Sequence, residues 1–246
     1  MDLHDRIRLW WDEDASSYDR SAGHAMSDPV EAAAWRAVLA SLLPPAPAHV
    51  LDVGAGTGAL ALMAAELGHE VTALDLSEAM LERARAKAVA RGLDVTFVVG
   101  RAEEPPEGPF DAVMSRHLVW TVPSPVEVLR TWRGAVRPGG RLAMFEGSWA
   151  GEGMLVAMKD AVARTVERAI GAEDGHHAPY PREVVENLPL GRPTSPRPFL
   201  DSATEAGWTR LRLARLRDVE WAIERRQPWP LGWLRHRPRY AIVADA

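Results

Sequence analysis

The chain has 246 residues, of which 47% are apolar, and it carries a formal net charge of −5. This composition is typical of a globular protein with a sizeable core, and the lack of a basic excess argues against a nucleic-acid binder. Without cysteine, the chain has no disulfide, thiolate zinc site or cysteine nucleophile. We see no secretory signal and no apolar run of membrane-spanning length, so we expect a cytoplasmic protein.

Two helices are predicted ahead of the first strand. The first covers His4–Ser17, and the second covers Pro29–Leu43 with Asp28 as its N-cap. Strands and helices then alternate. The predicted strands are Val50–Val53, Val71–Leu74, Val95–Val99, Phe110–Met114 and Leu142–Phe145. The predicted helices between them are Ala59–Leu67, a helix capped by Ser77 and closed at Gly92, and Val126–Val136. This alternation indicates an α/β fold with a doubly wound, mostly parallel sheet.

The regular alternation ends after Glu146. A helix is predicted at Met154–Ile170, and the Pro-, Gly- and His-rich stretch that follows has no clear period. A helix at Asp201–Ala206 and strands at Leu213–Ala222 and Tyr240–Ala244 complete the prediction. We interpret the chain as one domain. Its parts are an N-terminal helical cap (1–47), a cofactor-binding core (48–147), a lid segment facing the acceptor (148–200) and C-terminal strands (201–246).

A glycine turn follows the first strand. Glycines permit a sharp turn between strand and helix, and the backbone N–H groups at the helix N-terminus can hold an anionic ligand group. Gly54, Gly56 and Ala59 also satisfy the relaxed dinucleotide fingerprint. A nicotinamide-dependent oxidoreductase is therefore an alternative at this point.

Two acidic residues end the first two strands. Asp52 would repel a pyrophosphate but attract a ligand with an amino group and a sulfonium, while the helix N-terminus takes that ligand's carboxylate. Asp52 could instead turn back to cap the loop. Asp75 lies where α/β cofactor folds bind ribose hydroxyls, whichever nucleoside cofactor is used.

Four motifs in this order resemble the class I S-adenosylmethionine-dependent methyltransferases, in the small-molecule branch that includes ubiquinone and menaquinone biosynthesis enzymes. They are Val50-Leu51-Asp52-Val53-Gly54-Ala55-Gly56-Thr57-Gly58, Leu74-Asp75-Leu76-Ser77, Phe110-Asp111-Ala112-Val113 and Arg137-Pro138-Gly139-Gly140-Arg141-Leu142. The resemblance implies a Rossmann-like, seven-stranded sheet whose last strand is antiparallel and inserted. It also implies S-adenosylmethionine as cofactor and no metal.

The resemblance also implies roles for individual residues. Asp52, Gly54, Ala55 and Gly56 would hold the methionyl end of the cofactor, and Asp75 the ribose. The other implied cofactor contacts are Leu76 and Met80 on the adenosine, Ala102 and Glu103 at the adenine edge, the Ser115 backbone at the amino group, and Tyr18 as a cover. Arg101 stands where the family often has an acidic residue that contacts the adenine amino group. Glu103 is expected to make this contact instead.

The acceptor side is predicted from aromatic and histidine positions. Trp10, Trp11, Trp120 and Trp149 lie on segments expected at the cofactor mouth, where they would form an aromatic acceptor pocket; the alternative is that each packs helices onto the sheet. His117 follows the fourth strand, where an imidazole that titrates near neutrality would take an acceptor proton. His24 is the rival to His117 and a predicted acceptor contact. His176-His177 are interpreted as a solvent-facing loop, not a metal site.

The predicted function is methyl transfer from S-adenosylmethionine to an O, N or C atom of a small molecule. No Asn/Asp-Pro-Pro-Tyr/Phe motif follows the fourth strand, where the chain reads Ser115-Arg116-His117-Leu118-Val119-Trp120, so we expect no DNA substrate. The alternatives are a non-catalytic S-adenosylmethionine-binding protein and the nicotinamide enzyme.

Overall fold

Seven strands form one sheet at the centre of the computed structural model, which describes residues 3–20, 23–147, 154–171, 185–186, 188–191 and 195–246. The strands are β1 (His49–Val53), β2 (Glu70–Asp75), β3 (Thr96–Val99), β4 (Phe110–Arg116), β5 (Val136–Gly147), β6 (Thr209–Arg215) and β7 (Arg239–Asp245). Their order is β3-β2-β1-β4-β5-β7-β6. Neighbours among β1 to β5 pair in parallel, and β7 is antiparallel to both β5 and β6. The predicted Rossmann-like sheet with an inserted antiparallel strand is confirmed.

Helices cover both faces of this sheet. They are α1 (Leu3–Asp14), α2 (Pro29–Leu42), α3 (Ala59–Glu66), α4 (Glu78–Arg91), α5 (Pro125–Ala135), α6 (Met154–Ile170), α7 (Arg197–Glu205), α8 (Arg217–Glu224) and α9 (Leu231–Leu234), with single 3₁₀ turns at Tyr18–Arg20 and Val119–Thr121. The side chain of Asp28 accepts the N–H groups of Val30 and Glu31 at the start of α2. Ser77 caps α4, and Gly92 ends that helix in the left-handed conformation. These three caps are as the sequence predicted.

Two apolar clusters lie on opposite faces of the sheet. Successive residues of a strand point to opposite faces, so Val50 packs into one cluster with Trp35, while Leu51 packs into the other with Trp132. Burying each such aliphatic side chain stabilises the fold by about 1.5–3 kcal/mol. Since both faces are covered at the centre of the sheet, β1 is apolar on both of its faces, at Val50, Leu51 and Val53. Asp52 is therefore an exception that needs a reason.

The predicted strand at Leu213–Ala222 is wrong in its second half. The strand β6 ends at Arg215, and Arg217–Glu224 forms the helix α8. The spacing of Val219 and Ala222, three residues apart, places both on the buried face of a helix, which overrides the β-branched and aromatic residues of this stretch. The other elements have ends that differ by a few residues from those predicted, and β5 extends further towards its N-terminus.

Candidate functional site

The carboxyl ends of three neighbouring strands meet at one edge of the sheet. Because β1 lies between β2 and β4, the order of the strands in the sheet reverses direction at β1. Open α/β sheets bind their ligands in the crevice at such a switch point. A cavity opens here between the strand ends and α1, lined also by the loops after β1, β3 and β4.

The glycine turn after β1 is fixed by backbone hydrogen bonds. Gly54 and Ala55 donate their N–H groups to the carbonyl of Leu74, at 2.8 and 3.1 Å. The N–H of Gly56 points instead to a side chain, the carboxylate of Asp75, at 2.7 Å. The turn is therefore held to the end of β2, and its backbone faces the cavity.

The three glycines of the turn have different roles, although all have positive φ. A Cβ on Gly54 would lie 2.9 Å from the side chain of Leu118, and one on Gly58 would lie 2.9 Å from the Cβ of Ala84. Packing thus requires glycine at both. A Cβ on Gly56 would meet nothing closer than 4.0 Å and would extend towards the cavity. The space beside Gly56 is what a ligand would fill.

Asp75 lines the cavity with a carboxylate that is already oriented. One oxygen accepts the N–H of Gly56, and the other accepts the N–H of Ser77 at 2.8 Å. Burial raises the pKa of Asp75 to about 6, although these N–H groups lower it. Each oxygen keeps a lone pair with which it can accept a ligand hydroxyl.

Asp52 is 2% exposed and lines a smaller cavity that adjoins the first. Burial raises its pKa to about 8, and the positive charge of Arg116 opposes that rise. Its Oδ2 is buried and makes no hydrogen bond to the described residues. A buried carboxyl oxygen without a hydrogen bond costs free energy unless a ligand group supplies that bond.

Arg116 is the functional residue that the sequence reasoning missed. From the end of β4 it lines both cavities and donates hydrogen bonds to the carbonyls of Gly23 and His24, at 2.6 and 3.1 Å. Its guanidinium lies 5.9 Å from the ring centroid of Trp35. A basic residue directly after a buried apolar strand was the available signal.

The helix α1 covers the mouth of the main cavity, and Trp11 lines that cavity. Polar contacts attach the helix to the rim: His4 Nε2 lies 3.1 Å from Glu103 Oε1, and Ser77 Oγ donates to Asp12 Oδ1 at 2.5 Å. Asp19 attaches the 3₁₀ turn that follows α1 to the rest of the protein. Its carboxylate accepts a hydrogen bond from the hydroxyl of Thr57 and forms an ion pair with Lys87.

Tyr18 lies on this covering segment and lines both cavities. Burial raises the pKa of its hydroxyl, so the phenol is neutral. His24 stacks on the Tyr18 ring with centroids 4.2 Å apart, and its Nδ1 lies 3.0 Å from the Tyr18 carbonyl oxygen. Among the described residues, His24 supports the cover and does not line either cavity.

The expectation that His117 titrates near neutrality is wrong. Its imidazole lines the cavity, but burial and the positive charges of Arg116, Arg239 and His24 bring its pKa well below the usual value. It also has a φ of +57°, in the left-handed region. At neutral pH the imidazole is therefore uncharged.

The structure brings most of the predicted residues together. The main cavity is lined by Tyr18, Gly54, Gly56, Asp75, Leu76, Met80, Ala102, Glu103 and His117, and the smaller one by Asp52 and Ala55. Ser115 is buried on β4, and Trp120 packs against one apolar cluster of the sheet, so neither lines a cavity within the described ranges. Trp149, His176-His177 and part of the predicted lid segment lie outside the described residues.

Two features are absent from the described ranges. No group of three or more His, Asp or Glu residues there is arranged to hold a metal ion. Within the same ranges, no helix combines the length and apolar character needed to cross a membrane.

Comparison with known proteins gives consistent matches. The family model described as a methyltransferase domain matches residues 51–144. The ubiquinone biosynthesis O-methyltransferase of Xanthomonas euvesicatoria is 30% identical over 227 residues, covering 89% of this chain and 80% of that protein.

Among solved structures, the geranyl diphosphate C-methyltransferase of Streptomyces coelicolor matches with a TM-score of 0.65 and 14% identity, covering 100% of this chain and 98% of that one. The cyclase SpnF matches with a TM-score of 0.65 and 18% identity, covering 97% and 95%. At such identities, these two structures establish the fold and not the reaction.

Proposed function

This chain belongs to the class I S-adenosylmethionine-dependent methyltransferases, and from that membership we propose that it methylates a hydroxyl oxygen of its small-molecule acceptor. The observation that carries the choice of oxygen is the uncharged imidazole of His117 in the wall of the cofactor cavity. A hydroxyl must lose its proton as it is methylated, and a neutral imidazole is able to take that proton. The name of the Xanthomonas relative, an O-methyltransferase, supports the same choice.

The residues around the cavity fit the cofactor group by group. Asp75 would bind the ribose hydroxyls, and the open side of Gly56 would admit the cofactor against the backbone. Asp52, whose buried Oδ2 lacks a hydrogen bond, would pair with the cofactor's ammonium. Leu76 and Met80 would pack on the adenosine.

The remaining predicted contacts lie at the rims of the two cavities. Ala102 and Glu103 would lie at the adenine edge, and Tyr18 would cover the bound cofactor. Ala55 would hold the methionyl end, and Arg116, which lines both cavities, would face its carboxylate.

The bound cofactor supplies a methyl group that its sulfonium has already activated. The protein's work is then to orient the acceptor, exclude water and remove a proton. The segment of α1 and Tyr18, which lines the cavity, would shield it from solvent, and His117 is the proposed proton acceptor. Its low pKa keeps the ring uncharged throughout the neutral range, as a proton acceptor has to be.

The proposed function is tested with purified protein and a panel of matched acceptors. We expect calorimetry to show S-adenosylmethionine binding, and S-adenosylhomocysteine to form with phenols and other hydroxyl compounds. Mass spectrometry of the product would locate the methyl group on oxygen. Transfer to the amine or carbon analogue of an acceptor, with the hydroxyl compound inert, would overturn the choice of oxygen.

The pairing of Asp52 with the cofactor's ammonium predicts that binding is linked to proton release. In the free protein Asp52 is largely protonated at pH 7, since its pKa is about 8. Only the ionised carboxylate attracts the ammonium, so binding lowers this pKa and releases up to one proton below pH 8. Between pH 7 and pH 8 the affinity should therefore rise, by up to about tenfold for one proton.

Calorimetry in phosphate and in Tris at pH 7 measures this proton release, because the two buffers take up a proton with different heats. Asp52→Asn is the control and should give the same heat in both buffers. If the wild-type protein also gives equal heats, Asp52 does not pair with the ammonium.

A further inference from the structure

A second buried carboxyl lies at the end of β5, beside the main cavity. Glu146 is 2% exposed, and neither of its carboxyl oxygens has a hydrogen-bond partner among the described residues. Burial raises its pKa to about 8, although the backbone N–H groups of Leu118 and Val119 face the carboxyl and lower the pKa. A buried acid with so few partners is costly and requires an explanation.

The imidazole of His117 lies close to this carboxyl, with Nδ1 3.7 Å from Glu146 Oε2. This is longer than a hydrogen bond, but such distances often shorten when the substrate binds. The backbone N–H of His117 donates to the carbonyl of Phe145, the residue before Glu146. That bond accompanies the left-handed φ of His117, a conformation that costs non-glycine residues on the order of 1–3 kcal/mol. The strained turn places the imidazole between Glu146 and the cavity.

We propose that Glu146 is a positioning residue that shares a proton with His117, and that the ionised pair takes the acceptor's hydroxyl proton. This inference rests on the proposed function, because it concerns the same site. Glu146 does not line the cavity and acts only through the imidazole.

The state of the pair decides which nitrogen can act. While Glu146 is protonated, its O–H donates to Nδ1 and the ring proton is on Nε2. Nε2 then cannot accept the proton of the acceptor's hydroxyl. After the pair loses this proton, Nδ1–H faces the carboxylate. The lone pair is then on Nε2, on the side of the ring away from Glu146. The carboxylate thus selects the tautomer in which Nε2 carries the lone pair.

In the transfer step, each bond that forms is matched by one that breaks. The acceptor O–H bond breaks and its proton goes to Nε2, while the oxygen forms a bond to the methyl carbon. The carbon–sulfur bond breaks and its electron pair stays on sulfur. Arg116, Arg239 and His24 all face His117 and disfavour the resulting imidazolium, so the Glu146 carboxylate is the charge that offsets them. The proton later leaves to solvent.

The pair also predicts a pH dependence of turnover. Below the Glu146 pKa of about 8 the carboxyl holds the proton, so kcat should rise about tenfold per pH unit towards pH 8 and then level off. Asp52 ionises in the same range, but its effect is on cofactor binding and disappears from kcat at saturating cofactor.

The decisive test observes the imidazole without any acceptor. Long-range ¹H–¹⁵N spectra distinguish the two tautomers, and His117→Ala identifies the signals of His117 among those of the eight histidines. We expect the His117 tautomer to change from Nε2–H to Nδ1–H as the pH passes about 8 in the wild-type protein. In Glu146→Gln this change should be lost. Glu220→Gln, which alters another buried carboxylate paired with Arg215, should leave it intact.

Two further measurements complete the test. Glu146→Gln should lower kcat about 10–100-fold and remove its rise towards pH 8, while Glu146→Asp, which keeps the charge, should restore part of the rate. The affinity for S-adenosylmethionine should stay unchanged in Glu146→Gln. A pH-dependent tautomer change that persists in Glu146→Gln overturns the pairing. Failure of the wild-type protein to bind S-adenosylmethionine would instead overturn the proposed function.

Discussion

Replacing Gly56 by valine should abolish S-adenosylmethionine binding while the protein stays folded. A Cβ at this position points into the space that the cofactor is proposed to fill, where its nearest neighbour is a Tyr18 ring carbon at 4.0 Å. The side chain thus clashes with the ligand and not with the protein. Its φ of +55° makes any larger residue strained, at a cost of about 1–2 kcal/mol. Calorimetry measures the binding, and circular dichroism measures the fold.

Gly92→Val is the matched control for Gly56→Val. Gly92 also has a positive φ of +63°, and a Cβ there meets nothing within 4 Å. It ends α4 away from the cavity, so its valine variant carries similar backbone strain without touching the ligand. Both variants should melt roughly 2–8 °C below the wild-type protein, and only Gly56→Val should lose binding. Normal affinity in Gly56→Val would refute the proposed position of the cofactor.

Asp75→Ala should weaken S-adenosylmethionine binding by about 2–4 kcal/mol, or roughly 30- to 1,000-fold. The carboxylate is proposed to accept two hydrogen bonds from the ribose, and both are lost with it. Its removal also frees the N–H of Gly56, which Asp75 holds at 2.7 Å, so the glycine turn becomes less well ordered. Titration calorimetry gives the affinity directly.

Asp111→Ala is a suitable comparison for Asp75→Ala. Asp111 also accepts a backbone N–H, that of His49 at 2.7 Å, and it pairs with Arg137. Because it lies near the start of β4, it is at the opposite end of the sheet from the cavity. Its alanine variant should lose stability but keep full affinity. Equal affinities of the Asp75 and Asp111 variants would remove Asp75 from the ribose site.

Much of the fold could be predicted because its signals are local. The apolar run Val50–Val53 before glycines, the cap residues Asp28 and Ser77, and Gly92 at a helix end each determine a structure within a few residues. The end of β6 could not be predicted in this way. Residues of α8 suit a strand and a helix about equally, and packing against the sheet decides between them.

The residues of the candidate site that were predicted are those that belong to a single short sequence motif. Asp52, Gly56 and Asp75 belong to such motifs. The expected neutral titration of His117 failed mainly because the imidazole is buried, and the positive charges of Arg116 and Arg239 lower its pKa further. Arg239 is more than one hundred residues away along the chain and comes close only because β7 inserts beside β5. Glu146, at the end of a predicted strand, gave no sign in the sequence that it would face an imidazole.

The cover formed by α1 has a consequence for the speed of the enzyme. A spent cofactor has to leave before a fresh one enters, and this helix lies across its way out. The partly exposed ion pair Lys87–Asp19 and the contact between His4 and Glu103 attach the segment, and an exposed ion pair contributes only about 0–1 kcal/mol. Opening the segment also exposes the apolar contacts that Ile7 and Trp11 make with Leu188, which costs roughly 1.5–3 kcal/mol for the side chain of Ile7. Release of the spent cofactor should therefore compete with the chemical step in limiting turnover.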